Sequence, residues 1–168
     1  MERETLYLLP NREDHHCFGC SPLNPSGLQM KFYTDGEKLY SWVAVPAHLC
    51  GWQRLVHGGI LSTILDEIMG WCAIHLLKRI TLTKSMEVHF LKPVYVEQSL
   101  RAEARILSTE NSREAIAEGW IVNDAGEVCT QSTGRFALFT PGTMRRMNLF
   151  GEEVIRSIEA VMRDISES

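Results

Sequence analysis

The sequence has no excess of positive charge: 17 Lys and Arg stand against 21 Asp and Glu, for a formal net charge of −4. A basic face for nucleic acid or for an anionic membrane surface is therefore not expected. It also has no uninterrupted apolar run. The longest, Ile60 to Leu77, is broken by Ser62, Thr63, Asp66 and Glu67, and a central acidic pair makes a membrane span costly. The first 14 residues carry no apolar stretch flanked by small residues, so they do not read as a signal peptide, and a cytoplasmic protein is expected. Cysteine is scarce. The five, Cys17, Cys20, Cys50, Cys72 and Cys129, are odd in number with one closely spaced pair, which argues against a disulfide framework. Internal repeats and low-complexity segments are absent.

What is present suits one globular domain with a proper core: 168 residues, 45% hydrophobic and 23% charged. Residues 1–26 read as an irregular segment, 27–140 as the domain and 141–168 as a helical extension. Alternation of Leu28, Met30 and Phe32, a turn at Thr34-Asp35-Gly36 and a β-rich run from Leu39 to Val45 predict a hairpin. A loop from Pro46 to Val56 leads into one long helix, about Gly58 to Lys78. Period-two patterns at Met86–Phe90 and Leu100–Ile106 predict strands, as do Glu114–Val122 and Val128–Phe139. Turn residues Glu110-Asn111-Ser112 and Asn123 to Gly126 separate them. Apolar spacing from Leu149 to Ile165 predicts a terminal amphipathic helix. The expected class is α+β, an antiparallel sheet with a central helix.

At 100° per residue, Leu61, Ile64, Leu65, Ile68, Trp71, Cys72 and Leu76 form a broad apolar side that should face the sheet. Gly59, Ser62, Thr63, Asp66, Gly70 and Ala73 share the other side. Small residues permit close approach by a backbone, a helix or a ligand, but they do not account for an acid there. Asp66 and Glu67 can serve a wet subunit interface or structural hydrogen bonds. The helix entrance, Val56-His57-Gly58-Gly59, favours another reading. Paired glycines let backbone N–H groups approach a ligand where the helix dipole favours negative charge. Acyl transfer needs such donors for the developing oxyanion, with a base or nucleophile nearby. On its own, His57 reads as a loop-stabilising residue.

The stretch from His57 to Glu67 resembles the signature of PaaI-like hotdog thioesterases, with the acid, Asp66, nine positions after the histidine. Downstream, Thr81 to Val94 is similar to the family's next strand and ends in Lys92-Pro93. Thr83, ten positions before that proline, matches a threonine that assists catalysis in relatives resembling thioesterase superfamily member four. Cys17 to Leu28 resembles a subset of the family. Cys50 and Gly51 depart from it, where a Gln or Asn is common. The resemblance, from about Cys17 to Phe139, implies a hotdog fold with the sheet wrapped around the helix. It also implies hydrolysis of acyl-CoA and a homodimer or dimer of dimers with shared active sites. Asp66 would be nucleophile or general base. Gly59, with Gly58 as a second donor, would bind the carbonyl, Thr83 would position water, and His57 would orient the loop or the carbonyl. Ser62 and Glu67 are further substrate-side candidates. Lys84 and Lys92, with Arg135, Arg145 and Arg146, are candidates for the coenzyme A phosphates. Coenzyme A is part of the substrate, and no separate cofactor is expected.

His15-His16-Cys17-x-x-Cys20 has the residue types of a zinc site, but no second C-x-x-C or H-x-x-H completes it. A packed loop with free thiols and no metal is the expectation. Cys50 is expected to be inert. Two other functions use the same scaffold: a hydratase acting on enoyl or hydroxyacyl thioesters, and a noncatalytic acyl-thioester binding module. Acyl selectivity would depend on the pocket between helix and sheet, with Met69, Trp71 and Phe90 as candidates to set its depth.

Overall fold

A computed structural model describes residues 5–11, 15–109 and 111–163. Seven antiparallel strands form one sheet in the order β1-β2-β3-β5-β6-β7-β4. They are β1 (Tyr7–Leu8), β2 (Tyr33–Thr34), β3 (Leu39–Ala44), β4 (Ile80–Phe90), β5 (Ser99–Thr109), β6 (Glu114–Val122) and β7 (Val128–Phe139). The helix α1 (Gly58–Leu77) packs on β3, β4, β5, β6 and β7. This is the hotdog arrangement. By length and composition alone α1 could cross a membrane, but its apolar residues are largely in the core.

The alternation in β6 and β7 decides which residues face α1. Ala115, Ala117 and Ile121 of β6 and Phe136 of β7 are fully buried, as are Ile64, Leu65, Ile68 and Met69 of α1. Removing each of the Ile, Leu, Met and Phe side chains from water contributes roughly 1.5–3 kcal/mol. Small residues let the helix approach. A Cβ at Gly119 would lie 2.9 Å from Met69 Cγ, and one at Gly134 would lie 2.7 Å from Phe136 Cε2.

Several boundaries differ from expectation. Leu28, Met30 and Phe32 are buried as predicted, but only Tyr33 and Thr34 pair with β3. The N–H groups of Leu28 and Met30 go instead to the carbonyls of Phe18 and Gly19. β4 starts at Ile80, six residues before the predicted Met86. The carboxyl-terminal segment holds two helices, α2 (Pro141–Met147) and α3 (Glu152–Val161). Asn148 in the left-handed region (φ 51°) ends the first, so the periodic run from Leu149 does not open a single helix. Ile165 lies outside the described residues, as do residues 1–4 and 12–14 of the amino-terminal segment and Glu110 of one predicted turn.

On α1 the predicted faces are rotated slightly. Trp71 and Leu76 are only half-buried, whereas Met69, Ala73 and His75 are buried. Met69 packs on the sheet at Gly119 and Gly134, and α3 covers the carboxyl end of α1, where His75 Nδ1 lies 2.8 Å from the Val161 carbonyl.

Candidate active site

β4 is an edge strand of the sheet and runs beside α1, bringing Thr83 to Asp66. The Thr83 hydroxyl donates to Asp66 Oδ1 at 2.7 Å. Asp66 Oδ2 has no hydrogen-bond partner among the described residues. Both side chains open on a cavity of about 330 Å³. The cavity follows α1 from Asp66 past Gly70 and Trp71 to Ile74, and is closed by Val154, Ile158 and Val161 of α3. Eight residues of helix make this about 12 Å. Trp71 is held as a wall by stacking on Phe32, with ring centroids 4.4 Å apart. The cavity thus joins a carboxylate and a hydroxyl to an apolar arm. Met69 is buried away from its lining, and Phe90 packs against Gly58 instead.

The glycine entrance lies elsewhere. His57 is the N-cap of α1, and its Nδ1 accepts from the Gly59 N–H at 3.0 Å. The paired glycines of the sequence predict that N–H to be open to a ligand. Here it is occupied, because a cap satisfies an otherwise orphaned donor. The Gly58 N–H has no acceptor among the described residues. His57→Ala should therefore destabilise the fold by about 1 kcal/mol. Thermal unfolding should fall by about 2–4 °C; an unchanged midpoint would contradict the capping role.

Ser62 donates to the Gly58 carbonyl and Thr63 to that of Gly59, both at 2.9 Å, so these hydroxyl protons serve the helix rather than a ligand. Glu67 faces the cysteine loop, with Oε1 3.3 Å from Cys17 Sγ. Burial pushes its carboxyl up to about 8. Hydrogen bonding between the two thiols lowers Cys17 and raises Cys20. All five cysteines are free.

None of the five predicted phosphate-binding cations lines the cavity. Lys84 and Arg135 share Glu114, whose carboxyl they hold low. Lys92 pairs with Glu127, Arg145 with Glu152 and Glu159, and Arg146 donates to Thr143. Sequence reasoning did not foresee the α3 wall, because nothing local to residues 152–161 encodes their contact with α1.

The chain has the hotdog fold. Residues 53–115, which include α1, β4 and β5, match the family model of the thioesterase superfamily. A solved thioesterase superfamily protein is similar at 22% identity and a TM-score of 0.66, over 73% of this chain and 60% of that one. The E. coli PaaI protein of the phenylacetic acid degradation operon is similar at 18% identity and a TM-score of 0.60, over 67% and 80%. A hypothetical thioesterase from Streptococcus pneumoniae TIGR4, solved with coenzyme A, is similar at 18% identity and a TM-score of 0.58, over 62% and 80%. That protein has also been solved with an aspartate, and separately a threonine, replaced by alanine. At these identities the likeness establishes the fold. No curated protein matches the sequence significantly.

Proposed function

We propose that the chain hydrolyses acyl thioesters of coenzyme A to the free acid and the thiol in the cytoplasm, with Asp66 as nucleophile or general base. The observation that carries this reading is the Thr83–Asp66 hydrogen bond at the mouth of a partly apolar cavity. A carboxylate held by one oxygen presents the other to an electrophilic carbonyl or to a water. The apolar arm towards Ile74 and Ile158 suits an acyl group.

The oxyanion needs a donor, and the Gly58 N–H at the α1 amino terminus is the unoccupied one; Gly59 joins it when His57 turns away. These donors stand about 12 Å along the axis from Asp66 of the same helix. One subunit therefore cannot bring both to one carbonyl. A second copy can. β4 is an 11-residue edge strand with Phe90 55% exposed and Leu82 38% exposed, a surface that invites pairing. Antiparallel pairing of β4 with its own copy about Met86 and Glu87 sets the Thr83 end of one subunit against the Phe90 end of the other. Phe90 touches Gly58, so each Asp66 then faces its partner's glycine donors. A homodimer, alone or as half of a dimer of dimers, is the proposed form.

In hydrolysis, the oxygen of Asp66 or of a water activated by it adds to the carbonyl, and the thiolate leaves and is protonated. If Asp66 attacks, water then opens the mixed anhydride. With water opening the anhydride at the Asp66 carbonyl, single turnover in heavy-oxygen water and mass analysis of the Asp66 peptide separate the two routes: label in the peptide means nucleophile, and label only in the acid means that water added to the acyl carbon. Conversion of enoyl thioesters without thiol release would instead favour the hydratase reading, and coenzyme A thioester binding without turnover the noncatalytic one.

A further inference from the structure

The proposed hydrolysis leaves the thiol pair of the amino-terminal loop unused, and the fold gives that pair a third partner. The turn 17–20 is fixed by backbone bonds on all sides. Ser21 N–H donates to the Cys17 carbonyl at 3.2 Å, Leu28 N–H to Phe18 at 2.8 Å and Met30 N–H to Gly19 at 3.0 Å, while Asn11 Nδ2 donates to Cys20 at 2.7 Å. The turn is pressed onto α1 so closely that a Cβ at Gly19 would lie 2.3 Å from Glu67 Cδ. Gly27 is likewise required, because a Cβ there would lie 2.5 Å from the Phe18 carbonyl oxygen. The sulfurs of Cys17 and Cys20 and a carboxylate oxygen of Glu67 thereby lie within 4.8 Å of one another.

Metal–ligand distances of about 2.3 Å for sulfur and 2.0–2.2 Å for oxygen place tetrahedral donors roughly 3.5–3.8 Å apart, so this cluster needs only a small contraction. A second feature lies beside the cluster on the same cavity wall, outside its 4.8 Å radius. His15 turns Nδ1 to the Cys17 N–H, and its Nε2 is buried on the same cavity wall with no hydrogen-bond partner. A buried unpaired nitrogen of this kind costs about 1–3 kcal/mol. Two thiols with a carboxylate are a soft-to-borderline donor set, which selects zinc(II) over calcium or magnesium.

We propose that Cys17, Cys20 and Glu67 bind one zinc(II) ion, with His15 Nε2 turning in from the cavity wall as the fourth ligand. Binding releases the protons of the two thiols and of Glu67 to solvent and leaves all oxidation states unchanged. The ion ties the amino-terminal loop to α1 one residue from Asp66. The site stands independently of the thioesterase reading.

The test uses the full-length chain without an affinity tag, reduced, stripped with a chelator and titrated with cobalt(II). The expected result is one equivalent per chain, with thiolate-to-cobalt charge transfer and tetrahedral d–d absorption that zinc displaces. Glu67→Gln should weaken binding at least ~10-fold, and the double variant Cys17→Ser, Cys20→Ser should abolish the charge-transfer band while far-ultraviolet circular dichroism is kept. Asp66→Asn should keep the band, so a failed thioesterase reading would leave this result intact. A reduced full-length chain with no stoichiometric band, or a band that survives in the double cysteine variant, overturns the proposal. If Glu67→Gln titrates as the parent does, Glu67 is not a ligand and the site as drawn is wrong.

Discussion

Asp66→Asn is expected to lower kcat for acyl-CoA hydrolysis by at least ~10² while leaving the fold intact, because the amide neither attacks a thioester nor takes a proton from water. The Thr83 hydroxyl can still donate to the amide oxygen, so the loop, helix and edge strand should keep their places. KM should change little, since the acyl cavity and the helix amino terminus are untouched. Steady-state thiol release, read beside circular dichroism, checks both halves of the expectation. Near-parental turnover in a folded Asp66→Asn protein would remove Asp66 from the chemistry.

The largest expected loss of stability belongs to Phe136→Ala. Phe136 is fully buried on β7, in register with Thr83 of β4 on one side and Ala115 of β6 on the other. Its ring folds over Gly134 and reaches 3.8 Å from a Cβ built on Gly70, so it fills the space between the sheet and the helix turn after Asp66. Truncation leaves a cavity that α1 cannot close, since Met69 already fills the space beside Gly134. The cost should be about 3–5 kcal/mol. Thermal unfolding should then fall by roughly 6–20 °C. Because β4 hangs on this part of the sheet, the Thr83–Asp66 contact should loosen as well. A midpoint within 2 °C of the parent would contradict this packing account.

The parts of the fold governed by local pattern were legible in the sequence. The alternation at Leu100–Ile106 shows in β5, where Leu100, Ala102 and Ala104 are buried, and α1 opens on paired glycines and carries a broad apolar side. The alternation at Met86–Phe90 does not predict burial, because β4 is an edge strand and Phe90 is 55% exposed. The segment Leu28–Phe32 was misread for a physical reason: it alternates because it is extended and buried, yet its hydrogen bonds go to the cysteine loop rather than to a neighbouring strand. The break between α2 and α3 depends on Asn148 and Gly151, which periodicity alone overrides. At the site, Asp66 could be picked from its setting on the helix, but Thr83 entered only through family resemblance, since nothing in its strand marks it. The use of His57 as a cap on Gly59 turns on a side-chain rotamer, and the meeting of Glu67 with Cys17 spans 50 positions of chain. Neither contact leaves a trace in spacing.

The central claim is thioester hydrolysis at Asp66, and the most direct measurement is thiol release from a panel of aryl, short, medium and long acyl-CoAs by the parent protein beside Asp66→Asn. The account predicts turnover of at least one acyl class by the parent and its loss in the variant. A parent protein that releases no coenzyme A from any of them, or a variant that releases it equally fast, would contradict it.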